Sequence, residues 1–187
     1  MKNNLTALIL AGGKSERMGK DKALIEYNGT PQVFYLANLI KPYCNKILIS
    51  RNKEQQALTI NDFGINFEII FDDTSSENQG PLTGLISAIE KYPSSNFLIL
   101  YCDLIDLNES IVQKLFDGRD EQKYATCFMV NDFPEPSIAI IENKSNLILW
   151  KKYKKGRYSI IKLLKEFDCK RITLDANLIE KLNDKDF

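Results

Sequence analysis

Between Leu8 and Lys22 the chain reads LILAGGKSERMGKDK, an apolar run entering a loop with three glycines and four cationic side chains. The adjacent Gly12 and Gly13 let a backbone approach a ligand closely and aim successive amides at it, while Arg17, Lys20 and Lys22 bring charge that neutralises phosphate. A tight turn flanked by solvated lysines is the plainer reading of the same residues. Spacing excludes the two best-known phosphate loops. After Gly13 the next glycine is Gly19, one residue too late for a P-loop, and Lys20 is followed by Asp21 rather than Ser or Thr. The dinucleotide fingerprint GxGxxG is absent, and the apolar run KILIS ends in Ser50-Arg51-Asn52 instead of the acid that would take a ribose hydroxyl.

Two further segments carry groups suited to a ligand. In FDDTSSENQGPLTG, Asp72 and Asp73 can accept hydrogen bonds from a base or ribose, and Gly80-Pro81 reads either as a helix start or as part of a binding loop. In FLILYCDLIDL, Asp103 follows an apolar run directly, a position where a carboxylate holds a cation, a ligand donor or a neighbouring lysine. The chain contains no histidine. That removes the usual general base, the Ser-His and Cys-His nucleophiles and the commonest zinc ligand, leaving carboxylates, Lys, Arg, backbone amides or an oxygen-bound hard metal.

These groups need a scaffold, and the hydrophobic pattern supplies one. Short β-branched runs predict strands at 5–10, 46–50, 67–71, 97–100, 125–130, 137–141 and 171–174. Amphipathic segments between them predict helices at 32–40, 82–91, 110–116, 144–152 and 159–167. Such alternation implies a sheet of parallel strands joined by right-handed crossovers, with helices on both faces. Ligands in such sheets sit beyond the carboxyl ends of the strands, which is where the glycine loop, Asp72, Asp73 and Asp103 fall. At 187 residues with short polar linkers and no repeat, the expectation is a single domain spanning 1–187.

The 25 basic and 25 acidic residues balance, so net charge favours neither nucleic acid nor an anionic membrane as partner. Charge is nonetheless segregated. KKYKKGRYSIIKLLK, from Lys151 to Lys165, holds seven cations and no acid, either a solvated helix face over an apolar stripe or a site for an anionic substrate. Cys44, Cys102, Cys127 and Cys169 are widely spaced and form no CxxC pair, which suits a reduced cytoplasm. No run approaches a membrane span, and MKNNLTALILAGG lacks the pattern of a secretory leader.

Together these pieces resemble the molybdenum cofactor guanylyltransferases of the nucleotidyltransferase superfamily. Leu10 to Lys22 matches the opening signature LAGGxxxRMGxDK at every fixed position, and ISRN at 49–52, FDDTSSENQGPLTG, YCD at 101–103, PSIAI and GRYSIIKLL continue the likeness along nearly the whole chain. The resemblance implies a Rossmann-like three-layer α/β/α fold with a mostly parallel sheet and one antiparallel strand. It implies transfer of GMP from GTP to the terminal phosphate of molybdenum-molybdopterin, with release of pyrophosphate. The doubled glycine, where many relatives read LAAG, leans towards guanine.

By family position Leu10, Ala11, Gly12 and Gly13 line guanine and phosphates, with Lys22 on the phosphates. Asn52 and Asp73 hold the nucleoside, and Asp103 binds Mg²⁺ beside the triphosphate. Arg17, Lys22 and Asp103 form the expected catalytic set. Gly80, Pro81, Leu82, Gly84 and Arg157 face the acceptor. The resemblance also implies a monomer serving molybdoenzymes or their chaperones.

Three segments depart from the family pattern: Glu135-Pro136 replaces His-Pro, Cys102-Asp103-Leu104-Ile105 lacks the proline of CDxP, and Lys181-Leu182-Asn183-Asp184 replaces most of NxNTP. Cytidylyl transfer, transfer to a sugar phosphate, and nucleotide binding without turnover are the alternatives.

Overall fold

A computed structural model of the chain describes residues 4–12, 21–27, 29–53, 55, 64–72 and 80–174, and of Lys22 the backbone. The elements are β1 (Leu5–Leu10), β2 (Glu26–Tyr27), β3 (Thr30–Pro31), α1 (Gln32–Ile40), β4 (Lys46–Arg51), β5 (Glu68–Phe71), α2 (Leu82–Lys91) and β6 (Asn96–Tyr101). They continue with α3 (Glu109–Asp117), β7 (Ala125–Val130), β8 (Phe133–Ile141), α4 (Asn146–Lys154), α5 (Ile160–Glu166) and β9 (Cys169–Thr173). Short 3₁₀ turns lie at Lys22–Leu24 and Asn143–Ser145.

Seven strands form one sheet in the order β5-β4-β1-β6-β8-β7-β9. β8 runs antiparallel to both its neighbours, while β1 pairs in parallel with β4 and β6, β4 with β5, and β7 with β9. This is a mostly parallel α/β sheet with one reversed strand. β1 is apolar on successive residues because both its faces are covered. Leu5, Ala7 and Ile9 lie in a core with Val33, Leu36 and Ile40 of α1 and Ile111 and Leu115 of α3. Leu8 lies in the opposite core with Leu82 and Leu85 of α2, Leu149 of α4 and Leu163 of α5. Each such fully buried Leu or Ile contributes about 1.5–3 kcal/mol relative to exposure.

Local signals set the helix ends. Asn108 caps α3, its side-chain oxygen accepting from Ser110 N at 3.1 Å and Ile111 N at 3.3 Å. Ser159 caps α5 through Lys162 N at 3.5 Å.

β8 begins four residues earlier than its apolar run suggests. A turn with Asn131 and Asp132 at φ 48° and 64° joins it to β7, so left-handed backbone is reached without glycine. Within β8 the register slips: Met129 faces Pro134 and Cys127 faces Ala139, leaving Glu135 to Ile138 opposite Phe128 alone. That bulge accommodates Pro136 inside a strand. The small β2–β3 hairpin is the other addition, and two-residue strands carry no periodicity to read.

Candidate active site

The strand order reverses direction at β1, whose neighbours are β4 on one side and β6 on the other. In such a sheet the crevice for a ligand lies at the carboxyl ends of these strands. Backbone bonds carry the ladders past the strand ends and fix the loops there. Ala11 N donates to Ser50 O at 3.0 Å, Cys102 N to Leu10 O at 3.2 Å, and Asp72 N to Arg51 O at 3.0 Å.

Three chain segments converge around Gly12, those of Ala11 and Gly12 itself, of Ser50, Asn52 and Gln55, and of Asp72. A Cβ built on it would lie 2.5 Å from Asp72 Oδ2 and 3.4 Å from Asn52 N, so the loop passes where a side chain has no room. Asp72 accepts a hydrogen bond from the Ser50 hydroxyl through its other oxygen. Burial raises the Asp72 pKa, and the Ser50 bond opposes that shift. Gln55 closes the group: its Nε2 donates to Ala11 O at 3.0 Å while its Oε1 accepts from Asn52 N at 2.8 Å. Leu10, Ala11, Gly12 and Asn52 therefore sit side by side.

From the opposite face, the first turn of α2 presses on the same strand ends. A Cβ on Gly84 would collide with Ser50 Oγ and lie 2.7 Å from Leu10 Cδ2. Gly80, at φ +68°, precedes this turn, and a Cβ there would lie 3.5 Å from Tyr158 O. Gly80, Pro81 and buried Leu82 are thus brought beside the segment containing Arg157. Arg157 itself is exposed and pairs with Glu166 at 2.7 Å, and Lys152 pairs with the same carboxylate. The acid missing from Lys151–Lys165 is the residue that follows it, so the basic stretch is partly neutralised.

Asp21 and Arg51 place Lys22. Arg51, 1% exposed, meets Asp21 Oδ2 at 2.5 Å, and Asp21 caps the 3₁₀ turn through Ala23 N at 3.1 Å. The turn that begins with Lys22 is thereby tied to the end of β4.

Asp103 is exposed in the turn after β6 and makes no ion pair among the described residues. Its loop is nevertheless held. Leu104 and Leu107 are buried, Gln32 Nε2 donates to Leu104 O at 2.6 Å, and Tyr35 Oη donates to Leu107 O at 2.7 Å. Those anchors supply the rigidity that a proline at this turn would otherwise give. Tyr27 from the β2–β3 hairpin lies near enough for burial, Cys102 and Asp103 to raise its pKa, in that order.

Gly13, Arg17, Asp73 and the segment 181–185 lie outside the described residues, as does the Lys22 side chain. Gln55, Gln32 and the pairing of Arg51 with Asp21 lie at the same strand ends. They carry no mark in the sequence pattern, except that an arginine directly after the apolar run KILIS is the one sequence signal for the last of these. Among the described residues no group of three or more Cys, Asp or Glu forms a metal cage.

Comparison with known proteins follows the same lines. A Synechocystis protein named molybdenum cofactor biosynthesis bifunctional protein is 35% identical over 181 residues, covering 96% of this chain and 50% of that protein. The chain thus spans half the length of that relative. A molybdenum cofactor guanylyltransferase from Yersinia pseudotuberculosis is 29% identical over 98% of this chain and 92% of its own. Among solved structures, molybdopterin-guanine dinucleotide biosynthesis protein A from Archaeoglobus fulgidus superimposes with TM-score 0.70 at 17% identity, over 95% of this chain and 87% of that one, a likeness of fold. The family model described as MobA-like NTP transferase domain matches residues 7–167, and the chain belongs to that nucleotidyltransferase family.

Proposed function

We propose that the chain transfers GMP from GTP to the terminal phosphate of molybdenum-molybdopterin. The observation that supports this most is the family match joined to the crowding at Gly12, where backbone, Asp72 and Asn52 meet one strand away from Asp103. In the reaction an oxygen of the acceptor phosphate attacks the α-phosphorus of GTP. A new P–O bond forms, the bond from the α-phosphorus to the bridging oxygen breaks, and pyrophosphate leaves with that electron pair. The attacking phosphate is already anionic, so a chain without histidine needs no general base.

What remains for the protein is positioning and charge stabilisation. The Leu10–Gly13 backbone and Asn52 hold guanine and ribose, with Asp73 accepting from the nucleoside. Lys22 and Arg17 neutralise the phosphates, each charge-assisted contact contributing about 1.5–3 kcal/mol. Gly80, Pro81, Leu82, Gly84 and Arg157 bound the acceptor side. Asp103, a carboxylate on a firmly anchored loop, would hold Mg²⁺, a hard cation that takes oxygen donors. When bound, Mg²⁺ supplies charge neutralisation at the phosphates.

We read the chain as a single domain acting as a cytoplasmic monomer, with molybdoenzymes or their chaperones receiving the product. No helix among the described residues is long and apolar enough to cross a membrane.

The test is pyrophosphate release by purified protein with Mg²⁺ and molybdenum-molybdopterin, with GTP, CTP, ATP or UTP in turn. Release with GTP alone is expected, accompanied by the largest rise in Tm, and Asp103→Asn should fold normally and release none. Preference for CTP would reassign the base, and release only with a sugar phosphate would reassign the acceptor. GTP binding without any release would make the chain a nucleotide-binding relative.

A further inference from the structure

We propose that Glu135 reads the donor edge of the acceptor's ring, the amino group and adjacent N–H of a 2-amino-4-oxopyrimidine, an inference that rests on the guanylyltransferase reading above. Glu135 is only 8% exposed although it is a carboxylate. Its Oε1 accepts from Ser137 N at 2.9 Å and from Ser137 Oγ at 2.5 Å, which fixes the side chain and uses both lone pairs of that oxygen. Oε2 has no donor, and Glu135 no cationic partner, among the described residues. Oε2 is not among the buried side-chain atoms left without a partner, so it opens to solvent and is free to take a donor that a ligand brings.

Position indicates which donor. Glu135 sits in the β8 bulge, which opens where the β6–β8 pairing ends at Leu100 and Ile138. Bulges beside active sites commonly re-aim a side chain. The carboxylate is thus at the carboxyl end of β6, the strand that leads into Asp103. A second negative group there repels phosphate, so phosphate belongs nearer the cations and an uncharged ring edge nearer Glu135. Guanine presents the same edge as a pterin. The Gly12–Asn52–Asp72 group, however, lies on the β4 side of β1, whereas β8 lies beyond β6 on the other side.

The experiment is a fluorescence titration of the full chain with 6-hydroxymethylpterin and with 6-hydroxymethyllumazine, in which oxygen replaces the 2-amino group, alongside a GTP titration. Wild type should favour the pterin at least tenfold. Glu135→Gln should bring the two ligands to within about twofold of each other while Tm and GTP affinity stay near wild type. Ser137→Ala, which keeps the charge and loosens its hold, should weaken the preference several-fold and carries the test if Glu135→Gln does not fold. A preference that survives both substitutions, or is absent in wild type, overturns the proposal. So does an equal loss of GTP affinity in Glu135→Gln, which moves the contact to guanine. Pyrophosphate release by wild type separates the two readings: its absence sinks the transferase, whereas release with no Glu135-dependent discrimination sinks this inference alone.

Discussion

At Gly12 the absence of a side chain matters because of what stands opposite. A methyl group there would press on Asp72 Oδ2, which is held in place by the Ser50 hydroxyl through the carboxylate's other oxygen. Relief requires the Asp72 carboxylate or the Ala11–Gly12 backbone to move, and Gln55 ties that backbone to Asn52. Gly12→Ala is therefore expected to cost about 1–3 kcal/mol of stability by overpacking and to weaken GTP binding, by denaturant titration and calorimetry respectively. Gly12 was legible in sequence as a close-approach position. Its neighbour Asp72 was legible only as one of two acids, since its bond to Ser50 depends on the β4–β5 pairing, which FDD does not carry.

At the scale of elements, α2 matters for how closely it approaches the sheet. Gly84 lets its first turn sit against Ser50 and Leu10, and a Cβ would overlap both side chains. Gly84→Ala should push the helix start outward, moving Gly80–Leu82 away from Tyr158. The expected outcome is a loss of about 1–3 kcal/mol and a higher KM for the acceptor, with GTP affinity less affected. The bounds of α1, α2, β1 and β7 agree residue for residue with the hydrophobic periodicity, because each buries a full apolar stripe or face. α4 lies two residues later than its pattern predicts, since the 3₁₀ turn at Asn143–Ser145 takes up the start of that segment.

For the molecule as a whole, two ion pairs differ in what they contribute. Arg119 grips Glu142 with two bonds of 2.7 and 2.8 Å, both side chains almost fully buried, joining the turn after α3 to the end of β8. Arg119→Met strands a buried carboxylate and should destabilise by about 3–5 kcal/mol in urea titration, with Glu142→Gln in the same chain recovering part of it. Glu68, by contrast, is partly exposed at the sheet edge, with Lys91, Tyr92 and Lys46 around it. Those groups, led by Lys91, hold its carboxyl at about 2, below the ordinary 4.5. A depressed carboxyl stabilises the fold above its unfolded pKa and loses that contribution as protons return. Acid unfolding should therefore steepen between about pH 4.5 and about 2, and Glu68→Gln should flatten that limb in a pH series of Tm.

The sequence by itself determined the alternation of strands and helices, the absence of any histidine base, and the loops in which ligand groups would fall. Periodicity and residue type are local properties, so they survive in a linear string. Only the tertiary structure decided which distant residues converge. Arg51 reaches back 30 positions to Asp21, Gln55 reaches back 44 to Ala11, and Gln32 reaches forward 72 to Leu104. It also decided that Glu135 is buried at a bulge by the carboxyl end of β6, because a register slip belongs to the pairing of two strands and to neither strand alone.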